Sequence, residues 1–123
     1  MGRCRVVQPD LVRLPMSGGD YIDVQKELNA GDYFDLLVAM ADRKPFAKIL
    51  TYLVGWSLVG LDDRPLPYSL DLPENVRRDT IRSLDKATYS ELSAIINRHE
   101  RAEDAAVDAK KKTPAPALAS SSS

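Results

Sequence analysis

The histidine and the cysteine, one of each, are the side chains best suited to catalysis in this sequence. A catalytic imidazole needs a nucleophile or a carboxylate within hydrogen-bond reach, and no pattern around His99 supplies one. We therefore predict a packing or surface role for His99. Cys4 stands between two arginines, which lower the pKa of a thiol, but its terminal position favours an incidental thiol. One Cys and one His cannot complete a structural zinc site, so we predict no metal, no cofactor and no catalytic residue.

Two loops carry residue types that could hold ions. Asp62, Asp63 and Asp71 form an acidic loop, but it lacks the alternating oxygen ligands and the closing glutamate of a calcium loop. Gly18 and Gly19 lack the flanking sequence of a phosphate-binding loop. Both segments are typical of solvated turns, and we predict that the protein is not an enzyme.

One predicted helix has a basic side that could bind nucleic acid. Arg77, Arg78 and Arg82 lie on it, but Glu74 and Asp79 are interleaved with them. The whole chain holds 17 Lys and Arg against 18 Asp and Glu, a formal charge of −1. Because nucleic-acid binding depends on a net positive surface, this pattern favours a solvent-exposed face with internal ion pairs.

Length and composition indicate one ordinary domain. The chain has 123 residues, of which 44% are hydrophobic and 28% are charged. A single cysteine fits a reducing cytoplasm. The longest uncharged run, 49–61, is shorter than the roughly 20 apolar residues of a membrane span, and no signal peptide is apparent. We expect a single folded domain at 1–108 that does not enter a membrane.

The elements that must position these residues follow from turn residues and periodicity. Two extended runs around a Ser-Gly-Gly-Asp turn predict a β-hairpin over about 11–26. Asn29 is suited to cap a first helix over 30–43. The segment 46–59, apolar on nearly all sides, predicts a core helix in which Tyr52 and Trp56 share a contact.

Two further helices and a tail complete the prediction. Asp71 is suited to cap a helix over 73–85, and Thr88 and Glu91 fit a capping box for a helix over 88–104. The Lys, Pro, Ala and Ser residues of 109–123 predict a disordered tail. The predicted fold class is α+β, mainly α, with an N-terminal β-hairpin followed by about four helices.

The apolar inventory of the first two helices indicates protein binding. An apolar groove left exposed marks a partner site, although all of these residues could instead pack into one core. We assign Leu53 and Trp56 to the core. The predicted partner-binding residues are Tyr33, Phe34, Leu37 and Met40 on the first helix and Tyr89 on the last.

The order of these segments resembles a protein family. The segments are a hairpin ending in 21–28, an amphipathic helix, the run Tyr-Leu-Val-Gly-Trp-Ser-Leu at 52–58, an acidic Pro-bearing loop at 62–67, and a helix through Leu92, Ile96 and His99. Over about 11–101 the chain resembles the tail assembly chaperones of long-tailed, non-contractile bacteriophages.

The resemblance implies a non-enzymatic partner-binding protein. Such a chaperone keeps the tape measure protein soluble while the tail tube assembles, acts in the host cytoplasm and is not expected in the mature virion. A longer frameshifted form and self-association are also implied, and consecutive lysine codons at 110–112 would suit a slippery site. Two alternatives remain open: a structural subunit of the tail or neck, and a small nucleic-acid-binding regulator.

Overall fold

The computed structural model describes residues 5–112, with side chains to residue 110, and has a three-stranded sheet followed mainly by helices. The strands are β1 (Leu11–Pro15), β2 (Tyr21–Gln25) and β3 (Leu53–Trp56). The helices are α1 (Ala30–Ala41), α2 (Ala47–Tyr52), α3 (Glu74–Arg82) and α4 (Lys86–Lys112). The predicted α+β class, mainly α, with an N-terminal hairpin and four helices, is confirmed.

The hairpin forms as its turn residues predict. β1 and β2 pair antiparallel, with Val12 opposite Val24. Gly18 and Gly19 both adopt positive φ, at 72° and 80°, a region that glycine reaches without a Cβ clash. Arg13 on β1 lies opposite Asp23 on β2, and the two side chains form an ion pair at 2.9 Å on the exposed face.

The predicted core helix over 46–59 is wrong in its second half. The helix ends at Tyr52, and Leu53–Trp56 form β3, which pairs antiparallel with β2. An apolar run without polar punctuation fits a buried strand as well as a buried helix, and Gly55 and the aromatic Trp56 are poor helix formers. The Trp-Ser-Leu part of the run at 52–58, which belongs to the family resemblance, is therefore the end of a strand and its continuation.

The structure gives Tyr52 and Trp56, for which a shared contact was predicted, different ring partners. Tyr52 meets the ring of His99 edge-on, with centroids 5.6 Å apart. Trp56 packs on Tyr68 with centroids 4.9 Å apart and donates its ring N–H to the carbonyl of Leu66 at 2.9 Å. Trp56 is partly buried against the core, so its assignment to the core fits this packing.

The helix boundaries differ from the prediction mainly in α4. Asp85, rather than Thr88, caps this helix, since its carboxylate accepts the Thr88 N–H at 2.7 Å. Glu91 is not part of a capping box; it accepts hydrogen bonds from the Ser17 N–H and hydroxyl at 2.7 and 2.8 Å. At the other end α4 continues through 109–112, which had been predicted as tail. The rest of the predicted tail, 113–123, lies outside the described residues.

The remaining predicted caps have mixed outcomes. Asn29 caps α1 as predicted, accepting the Asp32 N–H at 2.8 Å. Asp71 does not cap α3, because Pro73 occupies the residue before the helix. The helices predicted over 30–43 and 73–85 are shorter at their C-terminal ends, at Ala41 and Arg82.

One core joins the sheet to the helices. Its buried residues come from β2, α1, α2, β3, α3 and α4, and the most deeply buried are Ile22, Val24, Tyr52, Leu53, Ile81, Leu92 and Ile96. The helix α1 contributes one buried side chain to this core, Leu36, and packs mainly on α2.

Candidate functional site

The outward side of α1 carries a continuous apolar surface. Tyr33, Phe34, Leu37 and Met40, all predicted from the sequence as partner-binding residues, are exposed, with Phe34 at 64%. Val38, which the prediction omitted, is exposed beside them. At 100° per residue these positions span about half of the helix circumference. We call these five residues the α1 face.

The other side of α1 is more polar than the side that faces solvent. Leu36 is the buried apolar residue there, whereas Asp32 and Asp35 border a cleft that also contains Arg77 of α3. A surface helix of a soluble protein normally places its apolar stripe on the core and its charges in water. The reversed arrangement of α1 is therefore the feature of this fold that a partner would explain.

Tyr89 does not join the α1 face. Its ring meets Phe46 edge-on, with centroids 5.6 Å apart and an interplanar angle of 68°. The residue is partly buried against the core. Its helical spacing with Leu92 and Ile96 correctly places it on their side of α4, but that side packs inward.

A cleft of about 530 Å³ separates the start of α1 from the second half of α4. Its apolar walls come from Leu28, Tyr33, Tyr52 and Val107. Its acidic rim consists of the α4 residues Glu100, Glu103, Asp104 and Asp108. The exposed ring of Tyr33 connects the cleft with the α1 face, so the two form one surface.

Glu103 is the structural anchor of this cleft. Its carboxylate accepts the Leu28 N–H at 2.6 Å and the hydroxyl of Tyr52. Burial, and then the hydrogen bond to Glu103, raise the pKa of Tyr52 well above its ordinary value. The phenol therefore stays protonated and remains a donor, which fixes the floor of the cleft.

The other rim carboxylates have different partners. Glu100 forms an ion pair with Lys48 at 2.8 Å. Among the described side chains, no cation lies within ion-pair distance of Asp104 or Asp108, and both are exposed. The rim therefore presents negative charge to solvent beside the α1 face.

The sequence prediction gave these α4 residues no partner-binding role. Val107 and Asp108 lie beyond the predicted helix end at 104, whereas Glu100, Glu103 and Asp104 lie within the predicted helix. The signal was nevertheless present. Positions 100, 103, 104, 107 and 108 follow the spacing of one helix face, with carboxylates at all but Val107. An apolar residue among carboxylates at that spacing indicates a charged face next to a groove.

The basic side of α3 is largely engaged in local contacts. Arg78 pairs with Glu74 at 2.7 Å, and the Arg77 side chain donates to the Leu72 carbonyl at 3.2 Å. Arg82 is exposed in the last turn of the helix. Two of the three arginines thus have partners within the chain, which matches the interleaved charges of the sequence.

The other candidate side chains take part in packing or turns. The ring Nε2 of His99 lies 2.8 Å from the Gln25 carbonyl oxygen; a carbonyl only accepts, so this nitrogen donates. Asp62 and Asp63 adopt positive φ in a short turn. Within residues 5–112, His, Cys, Asp and Glu form no cluster able to hold a metal ion. Cys4 lies outside the described residues.

No helix in the described part of the chain combines the length and apolar character needed to cross a membrane.

Comparison with known proteins gave no family model, no curated protein and no solved structure that matches this chain.

Proposed function

We propose that this protein is a non-enzymatic assembly chaperone that binds an apolar helical segment of a phage tape measure protein. The α1 face carries the proposal: it is a contiguous set of aromatic and aliphatic side chains turned to solvent on an otherwise ordinary soluble fold. The order of segments that resembles the tail assembly chaperones supplies the identity of the client. In this proposal the complex forms in the host cytoplasm and the chaperone leaves before the virion matures.

The physical basis is the free energy of covering apolar surface. Burying a large apolar side chain yields roughly 1.5–3 kcal/mol, and several such residues on one helix suit the binding of a partner helix through anchors spaced three or four residues apart. A client with long apolar stripes aggregates when free. A small protein that binds those stripes lowers the free client concentration by mass action.

The remaining chemistry of the chain is compatible with this proposal. His99, Glu103 and Arg78 form internal contacts that hold the fold together. The regulator alternative depends on Arg77, Arg78 and Arg82, and two of these are engaged by Leu72 and Glu74. By contrast, all five apolar side chains of the α1 face are exposed to solvent.

Affinity capture tests the proposal. The gene, tagged at its N-terminus in its native genomic setting, would be expressed during infection, and captured proteins would be identified by mass spectrometry. We expect a very long, helix-rich protein to be recovered. Recovery only of assembled particles would instead favour a structural subunit, and recovery of nucleic acid without protein would favour the regulator.

A matched pair of variants locates the contact. Leu37 on the α1 face is 46% exposed, and Leu61 in the turn before Asp62 is 90% exposed. We expect Leu37→Gln to reduce client recovery by about ten-fold, the effect of removing one central anchor, and Leu61→Gln to leave recovery unchanged. Equal recovery with both variants would contradict binding through α1.

A further inference from the structure

Charge is distributed unevenly around the α1 face. Between Ala30 and Ala41 the charged residues are Asp32 and Asp35, with no Lys or Arg. On the side towards α4 the surface continues into the cleft rimmed by carboxylates. On the opposite side Val38 borders a second cleft, of about 320 Å³, whose charges are mixed: Asp35 and Glu74 lie there with Lys44, Arg77 and Arg78. A partner lying along α1 therefore meets a uniformly acidic edge only on the side of α4.

The outer carboxylates of this negative edge are exposed and have no ion-pair partner among the side chains described up to residue 110. Glu103 is committed to Leu28 and Tyr52, and Glu100 to Lys48. Asp104 and Asp108 lie one helical turn apart and, among the described side chains, have no ion-pair partner. Two exposed carboxylates next to apolar walls favour a ligand that is apolar along its length and cationic at its end.

We infer that the segment seated on the α1 face is an amphipathic helix with lysine or arginine residues bordering its apolar stripe on the side that meets α4. This inference rests on the proposed function and specifies the chemistry of its partner. The aliphatic stem of such a side chain lies over Tyr33 and Val107, and its charged group reaches Asp104 and Asp108. Cation–π attraction to the exposed Tyr33 ring adds to the contact.

A second copy of this chain is a poorer occupant of the same surface. In such a pair the α1 helix of the other copy would supply an apolar stripe, but between Ala30 and Ala41 it carries Asp32 and Asp35 and no Lys or Arg. The carboxylates beside each cleft would therefore gain no cation from that helix. A separate partner with basic flanks supplies those cations.

Two synthetic peptides of about 18 residues, five helical turns, test the inference. Both carry the same leucine and alanine stripe; one has lysines along one border of the stripe, and the other has glutamates at those positions. Binding to the full chain is measured by fluorescence anisotropy at about 0.05 M and about 0.5 M salt. We expect the lysine peptide to bind about ten-fold more tightly at low salt, with a smaller preference at high salt.

Charge reversal assigns the preference to the cleft. We expect the double variant Asp104→Lys and Asp108→Lys to abolish or reverse the preference. The double variant Asp71→Lys and Asp79→Lys changes the net charge equally, at exposed positions outside the cleft, and should retain it. Circular dichroism checks that each variant is folded. If either variant does not fold, the inference is tested by the affinities of the two peptides for the unaltered chain at the two salt concentrations.

Three results would overturn the inference: equal affinity for both peptides, tighter binding of the glutamate peptide, or no binding of either peptide. Retention of the preference by the Asp104 and Asp108 variant would overturn it too. The proposed function fails separately, since it depends on whether the native client is captured and whether Leu37→Gln reduces that capture. If the client is captured through α1 but the lysine and glutamate peptides bind equally well, the proposed function is supported and the inference about charge is wrong.

Discussion

The hydroxyl of Tyr52 donates a hydrogen bond to the carboxylate of Glu103, which joins the end of α2 to the second half of α4. The same carboxylate accepts the Leu28 N–H, just before α1. One side chain thus links the residues just before α1, the end of α2 and α4. All three segments line the cleft beside the α1 face, so we expect the stability of the fold and the shape of the proposed binding surface to be coupled.

Removal of the Glu103 carboxylate should destabilise the protein markedly. Glu103→Ala leaves the buried Tyr52 hydroxyl and the Leu28 N–H without their acceptor, at a cost of about 2 kcal/mol in the free energy of unfolding. The control, Asp104→Ala at the next residue, should change it by less than about 0.5 kcal/mol. Urea unfolding followed by circular dichroism measures both; equal effects would show that the Glu103 contacts contribute nothing.

The raised pKa of Tyr52 predicts that the folded state loses stability at alkaline pH. The unfolded chain releases the phenol proton near pH 10.0, whereas the folded chain retains it. The contribution of this group is therefore complete below pH 10.0 and is lost as the pH rises above that value. Unfolding midpoints of the unaltered chain and of Tyr52→Phe, compared from neutral pH to alkaline pH, measure it. We expect the unaltered chain to lose more stability than the variant, and parallel curves would contradict this.

Substitution of two neighbouring leucines on α1 should destabilise the protein to very different extents. Leu36 is 2% exposed. Leu36→Ala should lower the free energy of unfolding by about 3 kcal/mol, because the substitution leaves a cavity in the core. Leu37→Ala, on the α1 face, should cost less than about 1 kcal/mol. Thermal or urea unfolding separates the two. A large cost at Leu37 would mean that the α1 face is packed in the free protein, contrary to the structure.

The capping of α4 by Asp85 predicts a contribution to protein stability that decreases in acid. Hydrogen bonds from Thr88, chiefly its backbone N–H, hold the pKa of the Asp85 carboxyl below its ordinary value of 3.8. The stabilisation is therefore complete above pH 3.8 and declines as the pH falls through the lower, folded-state pKa. Asp85→Ala should lower Tm at neutral pH, and the difference should shrink in acid. Asp79→Ala, an exposed control on α3, should show no such trend.

Local signals in the sequence were sufficient for much of this fold. The paired glycines at 18 and 19 predict the hairpin turn, and Asn29 predicts the start of α1, because each feature depends on residues close in sequence. The strand β3 was missed because its strand conformation comes from pairing with β2, in which Asp23 lies opposite Gly55. Asp85 was missed as a cap because Thr88 and Glu91 offered a competing local pattern, and Glu91 instead contacts Ser17, 74 residues away.

The candidate surface was predictable only in part. The spacing of Tyr33, Phe34, Leu37 and Met40 identifies an apolar stripe, but periodicity alone does not say whether a stripe faces the core or solvent. That choice depends on Leu36, which fills the available space in the core, and on the charged side of α1 that lies towards α3. The acidic cleft required knowing that α4 extends past 104 alongside α1.

Hydrogen–deuterium exchange on the captured complex tests the central claim most directly, since it reports which backbone amides a partner protects. We predict that client binding slows exchange in α1 (Ala30–Ala41) and in 103–108 of α4, while the acidic turn at 61–64 is unaffected. Protection confined to α3, or exchange in α1 that is unchanged by the client, would show that the α1 face is not the binding surface.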